Sequence, residues 1–371
     1  MSKKSVSTEI KQPKTLLIGI HAPYNRKICK EDYFEEFLNL IDTAGIRSER
    51  TINIKLRTVD KSFFLTKGKL QEVLHLCKQH QIEEVIFSDI LSPLQERNLG
   101  DYLGCMIYDR ESLILEIFKQ AAHTAEGKIQ VEMAEIDYLK SRLAGKGIEM
   151  AQQAGYTGTK GPGETHKEYI RRHLAEKTRQ AKKRLESLKR SRDTQRKQRI
   201  SSGLPFLSLI GYTNAGKSSL INRLTNSDIL AEDKLFATLD TTTRELYLDH
   251  KKIGLISDTV GFINHLPHHL IEAFKSTLDE LHYANLLLHV IDLSNHAWES
   301  QIKVVMETVK ELGVSDKQML FVFNKTDKLS EEQLEELKPK LESYQPYVLT
   351  HAMSKEGIEN IQSYLKSYKF D

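Results

Sequence analysis

The chain has 371 residues, 39% of them hydrophobic and 28% charged, with a formal net charge of +3. That length suits two or three domains with substantial cores, and the balance is that of a soluble globular protein. No apolar run approaches the roughly 20 residues needed to cross a bilayer, and "MSKKSVSTEIKQPK" at the N-terminus lacks the apolar centre of a signal peptide. Three scattered cysteines (Cys29, Cys77, Cys105) without a CxxC argue against a disulfide framework or a zinc site, so a cytoplasmic location is expected.

In chain order, residues 1–125 read as an α/β domain. "TLLIGI" (15–20) and "EEVIFSD" (83–89) have the apolar runs of buried strands, and Glu31–Ala44 and Lys69–Gln79 have helical spacing. Residues 126–203 read as a basic helical hairpin with a glycine-rich loop. Ile129, Met133, Ile136 and Leu143 form one stripe, "GYTGTKGPG" (155–163) breaks it, and Ile170, Leu174, Ala181, Leu185 and Leu188 form a second, thinner seam. A continuous helix over 165–200 would reach about 54 Å, and two such helices around a glycine loop predict an antiparallel coiled coil. Thr165–Ile200 carries 14 Lys/Arg against 4 Asp/Glu, which leaves the rest of the chain acidic. A merely solvated helix mixes signs; this bias suits a polyanion, with nucleic-acid phosphates first. "SSGLP" (201–205) ends the hairpin. From residue 204 to 371 "PFLSLIG", "KIGLISD", "LLLHVID", "QMLFVFN" and "YVLT" alternate with helical segments, which predicts a mainly parallel sheet covered on both faces.

"GYTNAGKSS" (211–219) fits GxxxxGK[ST] between a strand and a helix. Gly211, Tyr212, Thr213, Asn214, Ala215 and Gly216 would turn backbone N–H groups around phosphate oxygens. Lys217 would neutralise the β and γ phosphates, and Ser218 would ligate Mg²⁺. "DTVG" (258–261) follows at the end of an apolar strand: Asp258 suits a Mg²⁺-organising carboxylate, Gly261 can offer its N–H to a γ-phosphate, and Thr259 and Val260 lie between them. "NKTD" (324–327) ends another strand. Asp327 can accept two hydrogen bonds from guanine N1 and N2, which adenine cannot match, so the nucleotide is GTP. Asn324 can bond the base and tie loops together, the Lys325 stem can cover the ring, and Thr326 completes the motif. In "LFATLDTTTRE" (235–245) the loop Phe236, Ala237, Thr238, Leu239, Asp240 offers Thr238 to the metal, with Thr241, Thr242 and Thr243 as rivals. In "THAMSKEG" (350–357) Ala352, flanked by His351 and Met353, can present its N–H to guanine O6. Asn214 has two readings: holding K⁺ beside the phosphates, or hydrogen-bonding within the loop. Phe262 occupies the place where many GTPases carry a water-orienting glutamine, which predicts slow intrinsic hydrolysis.

These motifs, with "DTVGFINHLPHHLIEAFKSTLDE" (258–280), "DILSPLQERNL" (89–99), "DRESLILEIF" (109–118), "EGKIQVEMAEIDY" (126–138) and "KGPGETHKEYIRR" (160–172), resemble the HflX family of ribosome-associated GTPases. The resemblance implies a GTPase that binds the large (50S) ribosomal subunit and splits or recycles ribosomes under stress. It selects Thr238 as the Mg²⁺-binding switch threonine, with Lys217, Thr238 and Gly261 as the catalytic set. It also places Lys160, Gly161, Gly163, Glu164, Arg171 and Arg172 against ribosomal RNA. The chain departs from the family pattern at Lys160, where arginine is usual, at Thr241, where proline is common, and at His351, where serine is common; it also ends with the G domain, where many members continue.

The expected fold class is α/β: an N-terminal α/β domain, a long basic antiparallel helical hairpin, and a C-terminal P-loop GTPase domain with a mainly parallel sheet. The expected cofactors are Mg²⁺ and, through Asn214, K⁺; the expected partners are GTP/GDP and the large subunit with its RNA, the protein acting as a monomer. Two competing functions are a nucleotide-gated RNA-binding module with negligible hydrolysis and a GTPase of tRNA or rRNA maturation.

Overall fold

The computed structural model describes residues 12–25, 29–145, 166–201, 203–225, 234–239, 242–249, 251–264, 266–267, 270, 274 and 278–368. The chain divides into two compact units, Met1–Ile114 with Ser141–Lys167, and Leu115–Lys140 with Glu168–Asp371. Among the described residues no helix is long and apolar enough to cross a membrane.

The first unit is built on a parallel sheet of β1 (Thr15–His21), β2 (Ser48–Lys55), β3 (Glu84–Phe87) and β4 (Met106–Tyr108) in the order β2-β1-β3-β4. β1 is central and buried along its length, as its unbroken apolar run requires. β2 is an edge strand with one buried residue, Ile54, so its sequence carries no hydrophobic signature. The helices expected at Glu31–Ala44 and Lys69–Gln79 are α1 (Lys30–Thr43) and α2 (Lys67–His80). α3 (Pro93–Leu103) begins at a capping box: the Ser92 side chain accepts from Gln95 N–H, the Gln95 side chain accepts from Ser92 N–H, and Pro93 opens the first turn. α4 (Arg110–Ala121) runs from the first unit into the second.

α5 (Ala125–Gly145) and α6 (His166–Ser201) belong to the second unit up to Lys140 and from Glu168 on, and there they run antiparallel. Lys140 Nζ donates to Thr178 Oγ1 at 2.8 Å, and Arg184 pairs with Glu132 at 2.9 Å, so residues late in one helix meet residues early in the other. Of the residues the spacing singles out, Ile129, Ile136, Leu174 and Ala181 are buried, while Met133, Leu143, Ile170, Leu185 and Leu188 are half-buried.

The remaining strands are β5 (Phe206–Gly211), β6 (Thr243–Leu248), β7 (Lys251–Ser257), β8 (Leu286–Asp292), β9 (Met319–Asn324) and β10 (Tyr347–Leu349), in the order β10-β9-β8-β5-β7-β6. All pairings are parallel except the β6–β7 hairpin. β6 escapes the sequence pattern because only Leu246 and Leu248 of it are buried. The two faces are covered by different helices. Leu286, Leu288 and Val290 pack with Leu220 and Ile221 of α7 (Lys217–Thr225) and Ile361 and Leu365 of α10 (Glu359–Ser367). Ile291 and Phe323 pack with Trp298 and Ile302 of α8 (Trp298–Glu311) and Leu341 of α9 (Glu331–Leu341). This arrangement carries the loops after β5, β7 and β9 out of the carboxyl edge of one sheet, where open α/β sheets bind ligands.

Candidate functional site

Residues 211–218 turn from β5 into the first residues of α7. Gly216 has φ +93°, and a Cβ there would stand 2.2 Å from Asn324 Nδ2, so only glycine fits. Asn214 is also left-handed, with φ +60°, and is exposed. Lys217 is buried, and its Nζ donates to the carbonyls of Gly211 (3.2 Å) and Tyr212 (2.9 Å). Burial pulls its ammonium down to about 8, against the opposing charge of Asp258. The loop after β7 is stitched onto the phosphate loop. Thr213 N–H donates to Phe262 O at 2.8 Å and Phe262 N–H donates to Gly211 O at 3.1 Å. Gly261 lies so close that a Cβ there would meet Thr213 Cα at 2.9 Å and Lys217 Nζ at 3.1 Å.

Three hard oxygen donors converge beside this loop. Ser218 Oγ donates to Asp258 Oδ2 at 2.8 Å and stands 2.8 Å from Thr238 Oγ1. Asp258 is fully buried, and its other oxygen accepts from Thr259 N–H at 2.9 Å. Burial raises its carboxyl above the usual range, with Lys217 opposing. One carboxylate and two hydroxyls around a point facing a phosphate cradle suit an Mg²⁺ ion that keeps waters and phosphate oxygens as its other ligands. Of the rival threonines, Thr243 is in the β6 ladder opposite Ser257, and Thr242 lends its carbonyl to Asp258 N–H. Thr241 lies outside the described residues, as does Asp240.

The loops after β9 and β10 meet each other and the phosphate loop. Asn324 is buried; its Nδ2 donates to Ala215 O at 2.9 Å, and its Oδ1 accepts from Ala352 N–H at 3.1 Å. Ala352 N–H is therefore engaged within the protein rather than open toward a base. Lys325 Nζ donates to Asn214 O at 2.8 Å and pairs with Asp292 at 2.7 Å. Thr326 Oγ1 donates to Thr350 O at 3.0 Å, while Asp327 is exposed. His351 Nε2 lies 3.1 Å from Ser354 Oγ, the first hydrogen-bond partner for the histidine that stands in the serine's place. Met353 is exposed, and its carbonyl accepts from Arg223 Nη2 at 2.7 Å.

A cleft beside the phosphate loop is lined among others by Thr213, Asn214, Gly216, Lys217, Ser218, Phe236, Ala237, Thr238, Thr259 and Gly261. Lys234 and Ser219 also line it, although neither belongs to a motif position that names a role. Arg223 and Asp292 support the base loop and were equally silent in the sequence. Leu239, Val260 and Phe262 are buried and do not line the cleft. The Phe262 ring is thus core beneath the loop, and its backbone carries the contact with the phosphate loop. On α6, Arg171 and Arg172 are exposed; Lys160, Gly161, Gly163 and Glu164 lie outside the described residues.

Comparison with known proteins agrees with this geometry. Family models match in sequence order: "GTP-binding GTPase N-terminal" over residues 31–119, "GTP-binding GTPase Middle Region" over 121–199 and "50S ribosome-binding GTPase" over 206–325. The chain is 45% identical over 293 residues to GTPase HflX of Lacrimispora saccharolytica, covering 79% of this chain and 69% of that protein. It is 40% identical over 312 residues to GTPase HflX of Escherichia coli (strain K12), covering 84% and 73%. Among solved structures, a crystal structure of SsGBP in complex with GDP superposes with a TM-score of 0.51 at 23% identity, covering 95% of this chain and 97% of that one, a likeness of fold. Its phosphate loop, its three motif-bearing strand ends and its relatives along most of its length agree, and the chain belongs to the HflX family of GTPases.

Proposed function

We propose that this GTPase is a nucleotide-gated clamp for the large ribosomal subunit, and that the GTP-bound form separates ribosomal subunits. The observation that carries the reading is α6: a helix of 36 residues with a strong excess of Lys/Arg, on the same compact unit as the nucleotide cleft. Phosphate contacts from such a helix give affinity with little sequence preference. Arg171, Arg172 and the loop Lys160, Gly161, Gly163, Glu164 are the proposed RNA contacts. The description "50S ribosome-binding GTPase" for the matched family over 206–325 supports the same partner. In this reading residues 1–125, 126–203 and 204–371 are the N-terminal, RNA-contacting and hydrolytic parts, and the protein acts in the cytoplasm as a monomer.

At the cleft, Gly211–Gly216 direct backbone N–H groups to the phosphates. Lys217, already desolvated, exchanges its two carbonyl partners for β- and γ-phosphate oxygens. Ser218, Thr238 and Asp258 would hold Mg²⁺, which would supply positive charge to the phosphates. Gly261 brings its N–H to the γ-phosphate, and Asp327 reads guanine N1 and N2. Ala352 N–H turns from Asn324 to the base O6. Water attacks the γ-phosphorus and the bond to the β–γ bridging oxygen breaks. Loss of the γ-phosphate releases Thr238 and Gly261, and with them the ribosome.

Sedimentation with isolated large subunits tests the partner. Pelleting with a non-hydrolysable GTP analogue, weakened by salt and absent with GDP, supports the clamp. Equal pelleting in both nucleotides, or binding to free tRNA instead, sinks it.

A further inference from the structure

Phe118 closes the segment "DRESLILEIF" in the last turns of α4 and belongs to no nucleotide motif. Its ring is 1% exposed. It meets Phe236 edge-on, with centroids 4.7 Å apart at 83°, and Phe274 with centroids 5.1 Å apart at 88°. Both are favoured T-shaped geometries, and both partner rings are buried. Phe236 sits two residues before Thr238 and lines the phosphate cleft. Its φ is +56°, a left-handed conformation that a bulky residue holds only where its surroundings impose it. Phe274 lies beyond Gly261, where Leu270, Phe274 and Leu278 recur every fourth residue and are all buried. One ring from far upstream in the chain therefore touches both a residue that lines the cleft and a buried ring of the segment that follows the β7 loop.

We infer that Phe118 is a positioning residue for GTP turnover. Its ring seats Phe236 in the left-handed turn that sets the Thr238 hydroxyl beside Ser218, and it ties that loop to the segment carrying Phe274. The inference rests on the reading of Thr238 as the threonine that closes over the metal when a triphosphate is bound. A diphosphate makes no demand on Thr238, so Phe118 stabilises the GTP complex selectively.

The test uses the full chain and compares Phe118→Ala, Phe118→Leu and Thr238→Ala. Fluorescent GDP and a non-hydrolysable GTP analogue are titrated at fixed and varied Mg²⁺, with kcat and KM for GTP. In Phe118→Ala, analogue affinity falls about tenfold and the Mg²⁺ needed for half-saturation rises, while GDP affinity stays within about twofold. Phe118→Leu falls between, and adding Phe236→Ala to Phe118→Ala causes little further loss. Should Phe118→Ala not fold, Phe118→Leu alone and with Phe236→Leu carries the same comparison. Equal weakening of GDP and analogue, or fully additive losses, overturns the inference and leaves Phe118 as ordinary core. A selective loss in Thr238→Ala with none in either Phe118 variant overturns the role of Phe118 alone. An unaffected Thr238→Ala overturns the switch-threonine reading and the inference built on it.

Discussion

Ser218 and Thr238 stand hydroxyl to hydroxyl at 2.8 Å, although one opens α7 and the other lies 20 residues further on. Ser218 bonds the buried Asp258 at the same distance. The three oxygens are thus held within hydrogen-bonding distance around Ser218. Ser218→Ala removes the group that bridges the other two. Its Mg²⁺-dependent affinity for GTP is expected to fall about 10–100-fold, and more than its affinity for metal-free GTP. Binding titrations across Mg²⁺ concentrations check this; equal losses with and without Mg²⁺ would count against the metal assignment.

Lys217 gives a pH signature. Its folded value is about 8 because burial disfavours the charged form, whereas the unfolded chain keeps the ordinary value of 10.5. The unfolded state therefore binds more protons between these values, and the stability of the nucleotide-free protein rises with pH through that window. Phosphates restore the charge, so nucleotide binding near pH 8.5 takes up protons. Calorimetry in buffers of different ionisation enthalpy measures the uptake. Lys217→Met abolishes it; uptake that persists in that variant places the proton elsewhere.

How much of this was legible depended on how much each residue's job is written in local pattern. The phosphate loop, Asp258 and Asn324 sit where the motifs put them, because strand ends and glycine turns leave local signatures. β2 and β6 were not legible, since an edge strand such as "SERTINIK" has no buried face to mark it. The ambiguity among Thr238, Thr241, Thr242 and Thr243 is a tertiary question, and of the three described residues it is Thr238 whose hydroxyl meets Ser218. Phe118, Arg223 and Asp292 act through contacts with residues distant in sequence, which no spacing encodes.

Phe262 illustrates the same limit. Read in sequence it is a missing glutamine; in the fold its ring is 2% exposed and its N–H and C=O pair with the phosphate loop. Phe262→Gln buries a carboxamide in place of the ring and is expected to cost about 1–3 kcal/mol of stability. Ribosome-free turnover should change little, because the side chain is buried and does not line the cleft. Thermal unfolding with steady-state turnover measures both. A stable Phe262→Gln protein with markedly faster hydrolysis contradicts this placement.

Asn214 is left-handed and exposed where it lines the cleft, so its side chain is open to the K⁺ role expected of it. A K⁺ ion held there would add positive charge beside the transferring phosphoryl group. Turnover is expected to be about tenfold faster in K⁺ than in Na⁺, and Asn214→Ala to remove the difference. Equal rates in the two salts dispose of the idea.

In the proposed function, GTP binding rather than hydrolysis drives separation of the ribosomal subunits. Light scattering of intact ribosomes mixed with this protein and a non-hydrolysable GTP analogue tests it most directly. Scattering is expected to fall as subunits separate, with one round per protein because release requires hydrolysis. Unchanged scattering with the analogue, alongside splitting in GTP, would show that hydrolysis itself does the work and would contradict the clamp.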